Sequence, residues 1–179
     1  MFLKMLAAVL FLSGSMTTLA AEKFSTGPII KDFGPAFDAV QQTYPLAGNE
    51  RFKVAFDVAN QGTQEAPNRQ FISLARFLNM HGKVGVPAEN IQLALVVHGK
   101  ASFDLLRDEI YDEKYLVNNP NTQLLQALMD AGVKVAICAQ SAAFMGIENK
   151  DLLPGVEVAL SAMTKHAQLQ QQGYTLNPF

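Results

Sequence analysis

Short apolar segments alternate with segments of helical periodicity along most of this chain, and this alternation limits the possible folds more than any other feature. Residues 51–58 alternate apolar and polar side chains with the period of two that is typical of a strand. Three more segments of strand length are apolar, at 91–97, 133–138 and 156–160. Such strands are typical of parallel sheets covered on both faces. The pattern predicts an open, mostly parallel, doubly wound α/β sheet.

The segments between the strands predict helices. Apolar residues recur at intervals of three and four from Phe71 to Leu78, the stripe of a helix packed on a sheet. Asn119 and Pro120 stand in the order typical of an N-cap and first residue, and Gly132 marks the end of that helix. The other helical segments are an exposed helix or pair of short turns at 104–115, the first turns of a helix at 140–145, and a last helix at 162–172.

The first residues resemble an export signal rather than part of the fold. Lys4 precedes the apolar run 5–12, and small residues follow before a cleavage site after Ala20 or Ala21. The run is shorter than the roughly 20 residues needed to span a bilayer. Residues 1–21 are therefore predicted to be a cleavable signal peptide. We expect a periplasmic protein without stable membrane insertion after cleavage.

Residues 22–48 are rich in Gly and Pro and have no regular periodicity, so we interpret them as an N-terminal arm. The arm carries the apolar residues Ile29, Ile30 and Phe33, which predicts that it docks on a protein surface, either of its own subunit or of another. Residues 49–179 then form one α/β domain.

Charge and motifs argue against several classes of function. The chain has 14 Lys and Arg against 16 Asp and Glu, a formal charge of -2, which does not favour a nucleic-acid partner. Gly99 is a lone glycine after a strand, without a phosphate-binding pattern around it. The spacing of the histidines does not indicate a metal site. We expect no metal and no cofactor.

The single cysteine, Cys138, lies where a predicted strand leads into a helix. Backbone N–H groups at a helix start stabilise a thiolate, so Cys138 is the candidate nucleophile. Gln140 and Ser141 could donate hydrogen bonds to the sulfur, and His98, at the end of another strand, could act as a base if the two strands are neighbours. The alternative is that Cys138 is a packed residue that ends an apolar strand.

Four segments of the sequence resemble the DsrE/DsrF-like family: FLNMH at 77–81, ALVVHG at 94–99, CAQSA at 138–142, and the ending from Leu152. The resemblance implies a flavodoxin-like three-layer sandwich that assembles into homo-oligomers, commonly trimers or hexamers. In the family's sulfur-relay members a cysteine at this strand end carries a persulfide, a role that would fall on Cys138. It also implies a partner protein that donates or accepts sulfur.

Two departures from the well-known relays bear on function, because those proteins are cytoplasmic and this chain has an export signal and an added arm. Both imply a changed partner. Two hypotheses follow. The first is a periplasmic sulfur-handling protein, at most a sulfur carrier or transferase, that uses Cys138 with His98, Gln140 and Ser141 in support. The second is a non-catalytic oligomeric binding or assembly module with an inert Cys138.

Overall fold

The structure is a computed structural model that describes residues 24–38 and 42–177. The predicted signal peptide at 1–21 lies outside the described residues, so its cleavage and the export of the chain stay predictions. Within the described ranges, no helix has the length and apolar character needed to cross a bilayer.

Seven strands and five α-helices make up the regular structure of the described residues. In chain order they are β1 (Phe24–Ser25), β2 (Ala36–Phe37), β3 (Phe52–Val58), α1 (Arg69–Lys83), β4 (Ile91–Val97), α2 (Asp108–Tyr115), α3 (Thr122–Asp130), β5 (Lys134–Cys138), α4 (Ala139–Met145), β6 (Glu157–Ala159), α5 (Ala162–Gln171) and β7 (Thr175–Asn177). Short 3₁₀ turns cover Ala88–Asn90, Gly99–Leu105 and Asn149–Asp151.

The main sheet has five strands in the order β6-β5-β4-β3-β7, and every pairing in it is parallel. Helices lie on both sides of this sheet, which confirms the predicted doubly wound α/β fold. The register places Val58 opposite Val97 and Val97 opposite Ile137. The carboxyl ends of β3, β4 and β5 therefore meet at one edge of the sheet.

The two faces of the sheet are packed differently. One face carries large aliphatic and aromatic side chains that form the main core with α1 and α3, including Phe56, Leu95 and Ile137. The other face carries small residues such as Ala55 and Ala94, which join Cys138, Leu169 and Tyr174 in a smaller cluster under α5. Cys138 thus points to the thinly covered α5 side of the sheet.

Asn79 fixes the described part of the N-terminal arm to α1 of the same chain. Its buried side chain accepts hydrogen bonds from the N–H groups of Ile29 (3.1 Å) and Ile30 (2.7 Å). Its amide nitrogen donates to the carbonyls of Ile30 (2.9 Å), Phe33 (2.9 Å) and Gly34 (3.1 Å). Five backbone groups of an irregular segment are satisfied in this way by one side chain. The described part of the arm therefore packs on α1 of its own subunit.

Gly34 allows the arm to approach the helix closely. It has φ +65°, and a Cβ at this position would lie 2.3 Å from the backbone carbonyl carbon of Ala75. A side chain at Gly34 would therefore clash with the backbone of α1, which cannot move without breaking the helix.

The structure corrects the predicted start of α3. The helix begins at Thr122 with Asn121 at its N-cap, so Asn119 and Pro120 are not its N-cap and first residue. The side-chain oxygen of Asn119 accepts from the N–H of Asn121 (2.9 Å) in a turn, and its amide donates to the carbonyl of Leu106 (2.6 Å). Asn119 is used for the turn that precedes the helix, which is a common use of this residue type.

Two further differences concern the exposure of the segment 104–115 and the number of strands in the main sheet. The segment 104–115 is not wholly exposed as predicted, because Tyr111 is fully buried in the main core. The sheet also gains β7, which was not predicted. Its residues Thr175–Asn177 are too few and too polar to resemble a strand, and pairing with Val54 to Phe56 of β3 makes them one.

A buried carboxyl group, Asp104, lies behind the edge of the sheet. Its Oδ2 accepts from the N–H of Gly62 (2.8 Å) and the amide of Asn68 (2.8 Å), while its Oδ1 and the hydroxyl of Tyr111 lack a partner among the described residues. Burial raises the pKa of Asp104 against the opposing effect of the hydrogen bonds from Asn68 and Gly62. Burial and the nearby Asp104 carboxylate raise the pKa of Tyr111 to about 12.

Removal of the Asn79 side chain is expected to free the arm. Asn79→Ala leaves buried backbone groups without partners and should lower the free energy of unfolding by roughly 2–4 kcal/mol, since each such group costs about 1–3 kcal/mol and the losses do not add fully. It should also release the backbone around the exposed Lys31 and so allow trypsin to cleave there. Chemical denaturation and limited proteolysis measure both effects, with exposed Asn118→Ala as the matched control. Identical behaviour of the two variants would contradict the clamp.

Replacement of Asp104 by Asn should raise the free energy of unfolding at neutral pH, because the variant keeps the shape and removes a buried charge. A raised carboxyl pKa lowers stability as pH rises from the unfolded value towards the folded one. The gain should therefore disappear near the carboxyl's ordinary value of 3.8 and grow above it. Denaturant titrations across this pH range measure the difference. A difference that does not depend on pH would contradict burial of an ionisable Asp104.

Candidate functional site

Cys138 is both the last residue of β5 and the N-cap of α4. The apolar residues Val135 to Ile137 bury the strand, and the chain turns into α4 immediately after the cysteine. An N-cap side chain usually accepts hydrogen bonds from the N–H groups of the first helical turn. Cys138 makes no side-chain capping hydrogen bond of this kind, but its place at the start of α4 sets its sulfur near the N–H groups of the first helical turn.

The environment of the sulfur is polar even though Cys138 is only 5% exposed. Burial raises the pKa of the Cys138 thiol, but hydrogen bonds from the N–H groups of Ser141, Ala162 and Gln140 and from the Ser141 hydroxyl outweigh it and lower the pKa. Each of these donors favours a sulfur that carries negative charge. The arrangement is that of a stabilised thiolate.

Ser141 connects this sulfur to the neighbouring strand. Its Oγ accepts from the N–H of Gly99 (3.0 Å), which leaves the hydroxyl proton to donate to Cys138. Gly99 has φ +54°, and a Cβ there would lie 2.9 Å from the carbonyl oxygen of Ala59, so only glycine fits this approach. The structure thus brings Ser141 to Cys138, in the supporting position predicted from the sequence.

Gln140 supports the sulfur through its backbone only. Its N–H is among the donors to Cys138, but its side-chain amide donates to the carbonyl of Leu160 (3.3 Å). The side chain is exposed and lies across the end of β6. The predicted hydrogen bond from the Gln140 side chain to the sulfur is therefore not present.

His98 lies at the same edge of the sheet as Cys138. Val97 of β4 pairs with Ile137 of β5, and His98 and Cys138 are the next residues along their chains. The two strands are neighbours, which was the condition for His98 to act as a base. Its Nε2, however, bonds Oδ2 of Asp57 at 3.0 Å. The imidazole is turned towards β3, and the groups that lower the pKa of Cys138 do not include it. A role for His98 as base stays a prediction.

Asp57 joins two histidines in a cluster that the sequence did not indicate. Its Oδ1 bonds Nε2 of His166 at 2.7 Å, and its Oδ2 bonds His98. Burial raises the pKa of the Asp57 carboxyl, but its hydrogen bonds and charge interactions with His98 and His166 outweigh burial and lower it. The only sequence signal is a carboxylate near the end of an otherwise apolar strand. A sequence separation of 109 positions between Asp57 and His166 conceals the pairing.

Three exposed apolar side chains belong to segments that adjoin Cys138 in the fold. Phe144 of α4 and Met163 of α5 are 89% and 81% exposed, and Leu160 is 68% exposed. Phe144 lies one helical turn after Gln140, whose side chain contacts Leu160, and Met163 follows Ala162, whose N–H faces the sulfur. We call Phe144, Leu160 and Met163 the apolar rim. Large exposed apolar side chains are a feature of surfaces that contact another protein.

Metal binding finds no support in the described residues, where no group of three or more His, Cys, Asp or Glu side chains could hold an ion. In the Asp57 cluster, the carboxylate is already hydrogen-bonded to both imidazoles.

Comparison with known proteins places the chain in a family. The model of the DsrE/DsrF-like family matches residues 53–178. No curated protein matches the chain. Among solved structures, the chain is similar to the protein of unknown function MTH1491 from Methanobacterium thermoautotrophicum, at 17% identity and a TM-score of 0.49 over 70% of this chain and 97% of that one. Because the family model covers most of the sequence, this chain belongs to the DsrE/DsrF-like family.

Proposed function

We propose that this chain is a sulfur-handling protein in which Cys138 carries sulfane sulfur as a persulfide. The observation that supports this function best is the set of donors around the sulfur, three backbone N–H groups and the Ser141 hydroxyl, which lower the pKa of the thiol. A thiolate is the form that attacks sulfur, and a free cysteine that only packs in a core has no need of such donors. Membership of the DsrE/DsrF-like family agrees with this chemistry.

The transfer needs one thiolate on this chain and no oxidant. The Cys138 thiolate attacks the outer sulfur of a donor persulfide, R–S–SH. The S–S bond of the donor breaks, R–S⁻ leaves, and Cys138 becomes Cys–S–SH. In the second step an acceptor thiolate attacks the outer sulfur and takes it, and the Cys138 thiolate is restored. The N–H donors stabilise the sulfur when it attacks and again when it leaves.

Both transfer partners must be separate molecules, because Cys138 is the only cysteine of the sequence. The apolar rim gives such a partner a surface beside the sulfur, and we include a donor or acceptor protein in the proposal. We also propose that the chain acts in the periplasm after signal cleavage and forms a homo-oligomer. The amino-terminal sequence supports the location, and the family resemblance supports the oligomer.

One observation favours the alternative function, a binding or assembly module with an inert cysteine. The thiol is 5% exposed while the apolar rim around it is largely exposed, so a partner could bind the rim without contact with sulfur. The two functions differ in one measurable property. A sulfur carrier must take up sulfur on Cys138, and a binding module leaves it unmodified.

Incubation of the purified protein with polysulfide, followed by intact mass measurement, tests the proposal. We expect a gain of one sulfur atom per chain that Cys138→Ser abolishes and that a reducing thiol reverses. Ser141→Ala should slow uptake at neutral pH by about tenfold or more, since a hydrogen bond to a charged group contributes about 1.5 kcal/mol or more. Ser73→Ala on α1 is the matched control and should react like the wild type. An unchanged wild-type mass would contradict the carrier function.

A further inference from the structure

Asp57 connects three elements of the fold at the edge of the sheet where Cys138 lies. The carboxylate belongs to β3, and its two oxygens bond His98 after β4 (3.0 Å) and His166 in α5 (2.7 Å). Each carboxylate oxygen is therefore hydrogen-bonded to one imidazole nitrogen. Because the pKa of Asp57 is lowered, the carboxylate is ionised at neutral pH and accepts from both rings. It therefore fixes Nε2 as the proton-carrying nitrogen of each histidine.

The β4 side of this cluster leads to the sulfur through the backbone. Gly99 follows His98 directly, and its N–H donates to Oγ of Ser141 at 3.0 Å. That bond orients the Ser141 hydroxyl, which is one of the donors to Cys138. A shift of His98 would move Gly99 and turn the hydroxyl away from the sulfur.

The α5 side leads to the sulfur through the helix. His166 lies one turn after Ala162, the first residue of α5, whose N–H faces Cys138. The buried β3 and β4 residues in the cluster beneath α5, Ala55, Ala94 and Val96, are all apolar. The bond between Asp57 and His166 is therefore a main polar contact that sets the position of the helix start over the sulfur.

We propose that Asp57 is a positioning residue for Cys138, which holds the end of β4 and the start of α5 so that Ser141 and Ala162 point at the sulfur. This role rests on the carrier function proposed above. Asp57 acts through two histidines and does not contact the sulfur itself. Its effect on Cys138 is expected to come from the placement of donors rather than from its charge.

The charged groups near this face allow the two effects to be separated. Besides Asp57, His98 and His166, they are Lys53 of β3, Lys134 of β5, Glu157 of β6 and Lys165 of α5. The sequence of α4 contains no charged residue. Lys165 is paired with Glu157, and the other two lysines lie over the ring of Tyr174. Removal of the Asp57 charge alone would make the surroundings of the sulfur more positive and the thiol more acidic, whereas loss of donor placement would make it less acidic.

The test is the rate of Cys138 alkylation against pH for the wild type, Asp57→Asn and His166→Gln. Asp112→Asn, on the exposed side of α2, is the control. We expect Asp57→Asn to shift the alkylation profile to higher pH and to slow the reaction at neutral pH by about threefold or more, since the thiolate fraction falls tenfold for each unit of pKa. His166→Gln should shift it in the same direction, and Asp112→Asn should leave it unchanged. Circular dichroism verifies that each variant is folded.

An unchanged profile, or faster alkylation in Asp57→Asn, would overturn the positioning role. If Asp57→Asn does not fold, His166→Gln decides by the same criterion, because this variant keeps the carboxylate. Sulfur uptake is measured in parallel on the wild type. If the wild type takes up sulfur but Asp57→Asn has the same alkylation profile as the wild type, the positioning role alone is contradicted. If the alkylation profile of Asp57→Asn is shifted but the wild type takes up no sulfur, the carrier function alone is contradicted.

Discussion

Parallel pairing of β3, β4 and β5 is the constraint on which the rest of the structure depends. The register that sets Val58, Val97 and Ile137 side by side brings three strand ends to one edge of the sheet. Asp57, His98 and Cys138 lie at that edge, and each belongs to a different strand or strand end. Because parallel strands need crossover connections, the helices that follow begin near the same edge and point their N–H groups towards it. The donors around Cys138 are a direct result of this topology.

The position of Cys138 combines burial with polar contacts. In an apolar strand end without donors, burial would raise the pKa of the thiol and make it inert. Here the sulfur takes the N-cap position of α4, and Ala162 of α5 and the hydroxyl of Ser141 add donors from two other directions. The α5 face leaves room for them, since β3 and β4 contribute Ala55 and Ala94, beside Val96, to the small cluster that holds Cys138. The packing of the fold and the chemistry of the thiol therefore depend on the same small residues.

The fold could be predicted from the sequence because its strands and helices differ in period. The apolar segments 91–97 and 133–138 match β4 and β5 within one residue at each end. Three features were not predictable on this basis. Strand β7 is formed by tertiary pairing of three largely polar residues, Asn119 has a local turn partner that outcompetes helix capping, and Tyr111 is buried within a charged segment.

At the site, Cys138 and Ser141 could be found because they are close in sequence and follow a strand. The pairing of Asp57 with His166 could not, since no local pattern reports a contact across the whole domain.

Ultraviolet absorbance of the thiolate, measured against pH, tests the central claim most directly, because it observes the ionisation of Cys138 without a reaction partner. Cys138→Ser supplies the blank, and since the chain has one cysteine the difference spectrum belongs to a single group. The donors around the sulfur predict that the thiolate appears with a pKa below the ordinary cysteine value of about 8.5. A thiolate that appears only at or above that value would contradict the account and leave Cys138 as a packed residue of the strand end.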